Sequence, residues 1–86
     1  MVEIKVKHIE NEHKFVIDIE QEQAVLIYEI YDDRVNFSST FVPDTLRGQG
    51  LAEKLVRFGL RWASSANLKV EASCWYVQKF LSPKHQ

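Results

Sequence analysis

Phe41-Val42-Pro43-Asp44-Thr45-Leu46-Arg47-Gly48-Gln49-Gly50-Leu51-Ala52-Glu53-Lys54-Leu55-Val56, running on to Arg61-Trp62-Ala63, decides how this chain is read. An apolar strand ends at Val42, Pro43 and Asp44 force a turn, Gly48 and Gly50 free the backbone, and an amphipathic helix begins at once. This predicts a strand, a glycine loop and a helix N-terminus in succession. Such a loop presents unpaired backbone N–H groups at the positive end of a helix dipole, a setting that favours an anion such as a phosphate or pyrophosphate. The competing reading is an ordinary turn into a helix.

Working outward, Leu51, Leu55, Phe58, Trp62 and Ala66 recur every three to four residues and predict a helix of roughly four turns. Gly59 inside it costs about 1 kcal/mol relative to alanine, so a close packing contact is expected there. Asn67 is the expected C-cap. Upstream, Ile4, Val6 and His8 alternate with Glu3, Lys5 and Lys7, and Phe15, Ile17 and Ile19 alternate with Lys14, Val16 and Asp18. These period-two patterns predict two strands joined by a turn at Asn11-Glu12.

Glu20 to Gln23 closes the second strand, and Ala24 to Tyr31, apolar on both faces except for Glu29, reads as a central strand covered on each side. After Asp32-Asp33, Arg34 to Val42 is a fourth strand, with Val35, Phe37 and Phe41 on one side and Asn36, Ser38 and Thr40 on the other. Its polar Ser38-Ser39-Thr40 centre invites a bulge or a ligand. Lys69 to Cys74 is a fifth strand, and Trp75 to Leu81 a short helix stopped at Ser82-Pro83. The order β-β-β-β-α-β-α predicts an α/β (α+β) domain over 1–86. Its sheet is mixed and mostly antiparallel, five-stranded, with a right-handed β-α-β parallel crossover.

Composition narrows the function classes. The chain has 86 residues, 45% of them apolar, so a globular domain near the lower size limit for a self-sufficient core is expected. A formal charge of −1 offers no basic field for nucleic acid. One cysteine excludes an intramolecular disulfide, and His8, His13 and His85 lack metal-ligand spacing, so no metal is expected. Met1 to Lys5 alternates charged with apolar residues rather than forming a signal core, and no apolar run approaches the roughly 20 residues that span a bilayer. A cytoplasmic address without membrane attachment follows as the expectation.

Arg47-Gly48-Gln49-Gly50-Leu51-Ala52 fits the pattern Arg/Gln-x-x-Gly-x-Gly/Ala and resembles the acyl-coenzyme A signature of the GCN5-related N-acetyltransferases. Thr40-Phe41-Val42-Pro43 and Cys74-Trp75-Tyr76-Val77 are similar to the very small, single-domain branch of that superfamily, so the resemblance covers most of residues 34 to 80. It implies a truncated acetyltransferase fold, without the usual helices between the first two strands and with an open acceptor side. The implied activity is transfer of acetyl from acetyl-coenzyme A to an amine of a protein, peptide, lysine or polyamine. The acyl-coenzyme A would lie in a V-shaped gap between the fourth and fifth strands.

The resemblance assigns the pyrophosphate to backbone N–H groups at Gly48, Gln49, Gly50 and Ala52 with Arg47 adding charge. The acetyl carbonyl and pantetheine arm fall to the main chain of Thr40 and Val42. Cys74 would be a transient nucleophile or a pocket-lining side chain, and the sequence offers it no pKa-lowering neighbour except the helix start at Trp75. Tyr76 would protonate the departing thiolate. Ser39 stands where many small relatives have histidine, Ala72 where they often have proline, and Glu29 is an alternative base. Two other readings stay open: a coenzyme A-binding module with little transferase activity, and a ferredoxin-like interaction domain. A monomer and a homodimer are equally compatible with the chain.

Overall fold

A computed structural model describes residues 4–81. Its elements are β1 (Lys7–Ile9), β2 (Lys14–Ile19), β3 (Glu22–Tyr31), β4 (Arg34–Phe41), α1 (Leu51–Ser65), β5 (Lys69–Ala72) and α2 (Trp75–Leu81), with short 3-10 turns at Glu10–Glu12 and Asp44–Leu46. The five strands form one sheet in the order β1-β2-β3-β4-β5, antiparallel except for the parallel β4–β5 pair that α1 crosses. Among the described residues no helix is long and apolar enough to cross a membrane. The expected stop at Ser82-Pro83, along with Glu3 and His85, lies outside the described residues.

Two hairpins close over two-residue loops. Ile19 pairs with Glu22 across Glu20-Gln21, and Tyr31 pairs with Arg34 across Asp32-Asp33. The first loop residue of each has positive φ, 56° at Glu20 and 53° at Asp32, which suits the right-handed twist of the flanking strands. Consequently β3 starts at Glu22 and not at Ala24, with Glu22 and Gln23 already paired. The first strand is also displaced from its expected place: residues 4–6 precede it, and the β1–β2 ladder begins at Lys7.

The main core cluster lies on one side of the sheet, while Val16, which alternation turns to the other face, is fully buried as well. Phe15, Ile17, Leu26, Tyr28, Val35 and Phe37 are fully buried or nearly so beneath α1, which contributes Leu51, Leu55, Val56 and Ala63. The expectation that β3 is covered on both faces fails, since Ile27 keeps 39% of its surface exposed on the side away from α1. The buried stripe of α1 is also rotated relative to the periodicity reading. Val56, Gly59 and Ala63 are buried, whereas Phe58 and Ala66 are exposed. Gly59 explains that rotation, because a Cβ there would stand 3.0 Å from Phe37 Cε1 and 3.1 Å from Leu26 Cδ2, so the helix backbone rests directly on the sheet. Asn67 takes φ 59° just past the helix. It donates to the Ser64 carbonyl while Leu68 donates to that of Ala63, which satisfies the last turn.

An aromatic cluster anchors β1. The His8 ring stacks on Phe15 at 4.1 Å, meets Trp62 edge-on at 4.8 Å, and its Nε2 shares a 2.6 Å hydrogen bond with the Tyr28 hydroxyl. Burial pushes the His8 pKa below its ordinary value of 6.5, with the charge of Glu10 opposing in part.

Two outcomes follow. Gly59→Ala should lower stability by about 1 kcal/mol despite alanine's better helix propensity, because Phe37 and Leu26 are fully buried and have little room to yield; urea unfolding measures this. Below its ordinary pKa the unfolded chain binds a proton that folded His8 resists, so stability should fall as pH drops through about 6.5 and below. Comparing urea midpoints of the wild type and His8→Gln across that range should show a weaker acid dependence in the variant.

Candidate active site

β4 and β5 pair from Arg34↔Lys69 to Phe37↔Ala72 and no further. The backbone N–H groups of Ser73 and Cys74 both donate to the Phe37 carbonyl, at 3.1 and 3.2 Å. Beyond that shared acceptor β5 turns away into α2 while β4 continues through Ser38 to Phe41. The two strands therefore part at Phe37, and Cys74 belongs to the bend before α2, not to the strand as expected.

A bulge at the same level sets which β4 side chains face the gap. Tyr28 pairs with Phe37 but Ile27 pairs with Ser39, so Ser38 is the extra residue, its hydroxyl donating to the Ile27 carbonyl at 3.4 Å. The polar centre of this strand is thus a bulge. The extra residue reverses the side-chain alternation downstream. Thr40, opposite buried Leu26, points to the α1 side, while Phe41 lies on the open face, 57% exposed, against the expectation that it shares a side with Val35 and Phe37.

Turned inward, Thr40 meets Cys74, with 3.4 Å between hydroxyl oxygen and sulfur. Burial alone would raise the thiol pKa, but the Thr40 hydroxyl and backbone groups of Val77, Tyr76 and Thr40 outweigh it, and the net shift is downward. The expectation that Cys74 has no such neighbour beyond the helix start is corrected here. Thr40 is 34 residues away in sequence and adjacent in the fold.

The glycine loop stands at the end of β4. Pro43 leads into the 3-10 turn, and Gly48 and Gly50 adopt φ 85° and 74°, where a side chain would be strained. Gly50 is the N-cap of α1 and no side-chain cap bonds the first turn, which leaves its leading N–H groups directed out of the helix. A cavity of about 310 Å³ opens there, lined by Val42, Arg47, Gly48, Gly50, Ala52 and Tyr76 among others. Gln49 turns to the other side, where it lines a separate cavity of about 480 Å³ with Glu20, Glu22 and Thr45. Arg47 is folded back on its own loop, its Nε 3.3 Å from the Val42 carbonyl and 3.3 Å from the Asp44 carboxylate.

Leu46, Leu51 and Glu53 also line the first of these cavities, a role the sequence did not reveal for them. Glu53 sits three residues after the N-cap, a spacing that marks a carboxylate of the first helical turn. It holds Arg57 in a 2.7 Å ion pair. Burial raises the Tyr76 pKa, the charge of Glu53 adding to the effect and that of Arg57 opposing it, so the phenol stays protonated at neutral pH. Glu29 is exposed and accepts a hydrogen bond from Tyr31. By strand alternation Glu29 and Ser39 lie on the open face, away from Thr40. Ala72 lies opposite Phe37.

The profile of the GCN5-related N-acetyl-transferase family matches residues 14–86. The chain belongs to that family. Protein NATD1 from Bos taurus and from Homo sapiens are each 35% identical to it over 81 residues, spanning 91% of this chain and 72% of theirs. The NMR solution structure of a GCN5-like protein from Staphylococcus aureus superposes with a TM-score of 0.71 at 32% identity, covering 95% of this chain and 81% of that one. In this family member, then, the parted strands, the uncapped helix start and the Thr40–Cys74 contact converge on one end of the sheet.

Thr40→Val should raise the Cys74 pKa and slow its alkylation by iodoacetamide at neutral pH roughly threefold or more, one pKa unit being worth tenfold in thiolate. The pH profile of alkylation in the two proteins is the measurement.

Proposed function

We propose that this chain is an acetyl-coenzyme A-dependent N-acetyltransferase acting on an amine of a protein, peptide, lysine or polyamine. The observation that carries the proposal is the start of α1, which has no side-chain cap, facing a cavity at the end of the strand that forms one wall of the β4–β5 gap. The residues fit a pyrophosphate. Backbone donors at Gly48, Gly50 and Ala52 line the cavity, among the described residues nothing beyond the immediate chain neighbours lies within 4 Å of a Cβ position at either glycine, and Arg47 supplies positive charge. Gln49, which turns to the other cavity, contributes through its backbone alone.

Bound acetyl-coenzyme A would supply the acetyl thioester. The main chain of Thr40 and Val42, on the part of β4 that β5 does not accompany, offers backbone groups to the acetyl carbonyl and the pantetheine arm. Tyr76, protonated and at the rim of the cavity, is the proton donor for the leaving thiolate. Cys74 lines the thioester pocket, and transfer is direct: the amine needs a positioned thioester, an oxyanion donor and a proton acceptor, the last being solvent or the Tyr76 phenolate left once its proton has gone to the departing thiolate. Cys74→Ala should therefore retain a substantial part of the activity.

A second reading, a coenzyme A-binding module without turnover, draws on the position of Ser39. It replaces a histidine expected from the resemblance and lies on the face away from Thr40, so no base is supplied there.

Titration with acetyl-coenzyme A should shift backbone amides within residues 40 to 52, and adding an acceptor amine should release free thiol. Silence of those amides at millimolar ligand would overturn both readings; shifts without thiol release would favour the module. Gly50→Val should weaken binding about tenfold or more while the protein stays folded, because a β-branched residue is strained at φ 74° and its side chain projects toward the phosphate site.

A further inference from the structure

We infer that β5 is a self-complementary edge through which two copies of this chain pair across a two-fold axis. Among the described residues β5 ends the sheet, and β4 is the one strand with which it forms a ladder. Lys69 and Ser73 direct their N–H groups at β4, to the carbonyls of Asp33 and Phe37. Strand alternation therefore turns the N–H and C=O groups of Val70, and the N–H of Ala72, to the open edge. The Ala72 carbonyl on that edge is already engaged, accepting from Gln78 Nε2 at 2.8 Å.

These facts select one antiparallel register. With Val70 opposite its own copy, the two Val70 residues exchange both of their outward-facing backbone hydrogen bonds, and the flanking positions place Lys69 opposite Glu71 of the other copy, twice. Those flanking positions are of the type without ladder hydrogen bonds, in which side chains approach most closely. Centring the pair on Glu71 instead would oppose two carboxylates at the axis and require the Ala72 carbonyl that Gln78 occupies.

A lysine by itself blunts an edge strand; a glutamate two residues along makes the edge attract its own copy. Lys69 and Glu71 are exposed and share the open face with Asp33 and Arg34, at 3.8 and 3.0 Å, from which both side chains can reach across. Val70, half-buried on the α1 side, meets its copy there and extends the core across the axis. The four-residue strand is short, so the association is weak and concentration-dependent.

Sedimentation equilibrium at low salt, from micromolar to millimolar chain, tests this. The wild type should show a monomer–dimer equilibrium. Lys69→Glu, which opposes like charges at both flanking positions, should weaken it about tenfold, as should Glu71→Lys. An equimolar mixture of the two variants should associate at least as well as the wild type, because each then meets its opposite charge across the axis. The double variant Lys69→Glu/Glu71→Lys should also recover association, even though it worsens the contacts with Asp33 and Arg34 inside each copy. Circular dichroism confirms that each variant is folded, and if one single variant is not, the other together with the double variant decides. A wild type that remains monomeric to millimolar concentration, or charge reversals that neither mixing nor the double swap restores, overturns the inference.

Discussion

One extra residue in β4 governs the arrangement of everything near the candidate site. The bulge at Ser38 changes the side-chain parity of the strand midway. Its first half sends Val35 and Phe37 into the core under α1, and its second half sends Thr40 to that same side, where the core has given way to the bend at Cys74. In a regular ladder without the bulge, Ser39 and not Thr40 would stand opposite Leu26, Thr40 would turn to the open face, and the Phe41 ring would turn to the α1 side beyond it. A single irregularity thus divides β4 into a segment that stabilises and a segment that leaves room.

The rest of the fold supports that division with little material. Among the described residues the helices cover one side of the sheet, and Gly59 allows α1 to seat closely on Phe37 and Leu26 there. The same helix begins at the glycine loop. Its packing against the core therefore also fixes where its uncapped first turn points.

Much of this was legible in the sequence. Period-two and helical patterns located β2, β4, α1 and α2 and their order, and the Gly48-Gln49-Gly50 loop before an apolar stripe marked the helix start. The features that were not legible depend on tertiary contacts. Thr40 and Cys74 are neighbours only because β4 and β5 run in parallel and then part. The side of β4 that Phe41 occupies depends on where the bulge falls, and a polar triplet signals a bulge without naming its residue. A nearly continuous apolar segment such as Ala24 to Tyr31 cannot by itself report how many layers cover it; that depends on what packs over its other face, where the described residues place no helix. Gln49 and Glu53 illustrate the same limit at the site, since loop curvature alone decides that the first turns away and the second lines the cavity.

The Phe37 carbonyl accepts from two successive N–H groups, and its own side chain lies fully buried beneath Gly59. That peptide is the fulcrum of a pair of tongs: the ring is clamped in the core and the carbonyl fixes the angle at which the arms diverge. Jaw width and core integrity are mechanically joined at one residue. A change of substrate size in such a scaffold is therefore more accessible by trimming the tips, at Thr40 or Cys74, than by reshaping the pivot.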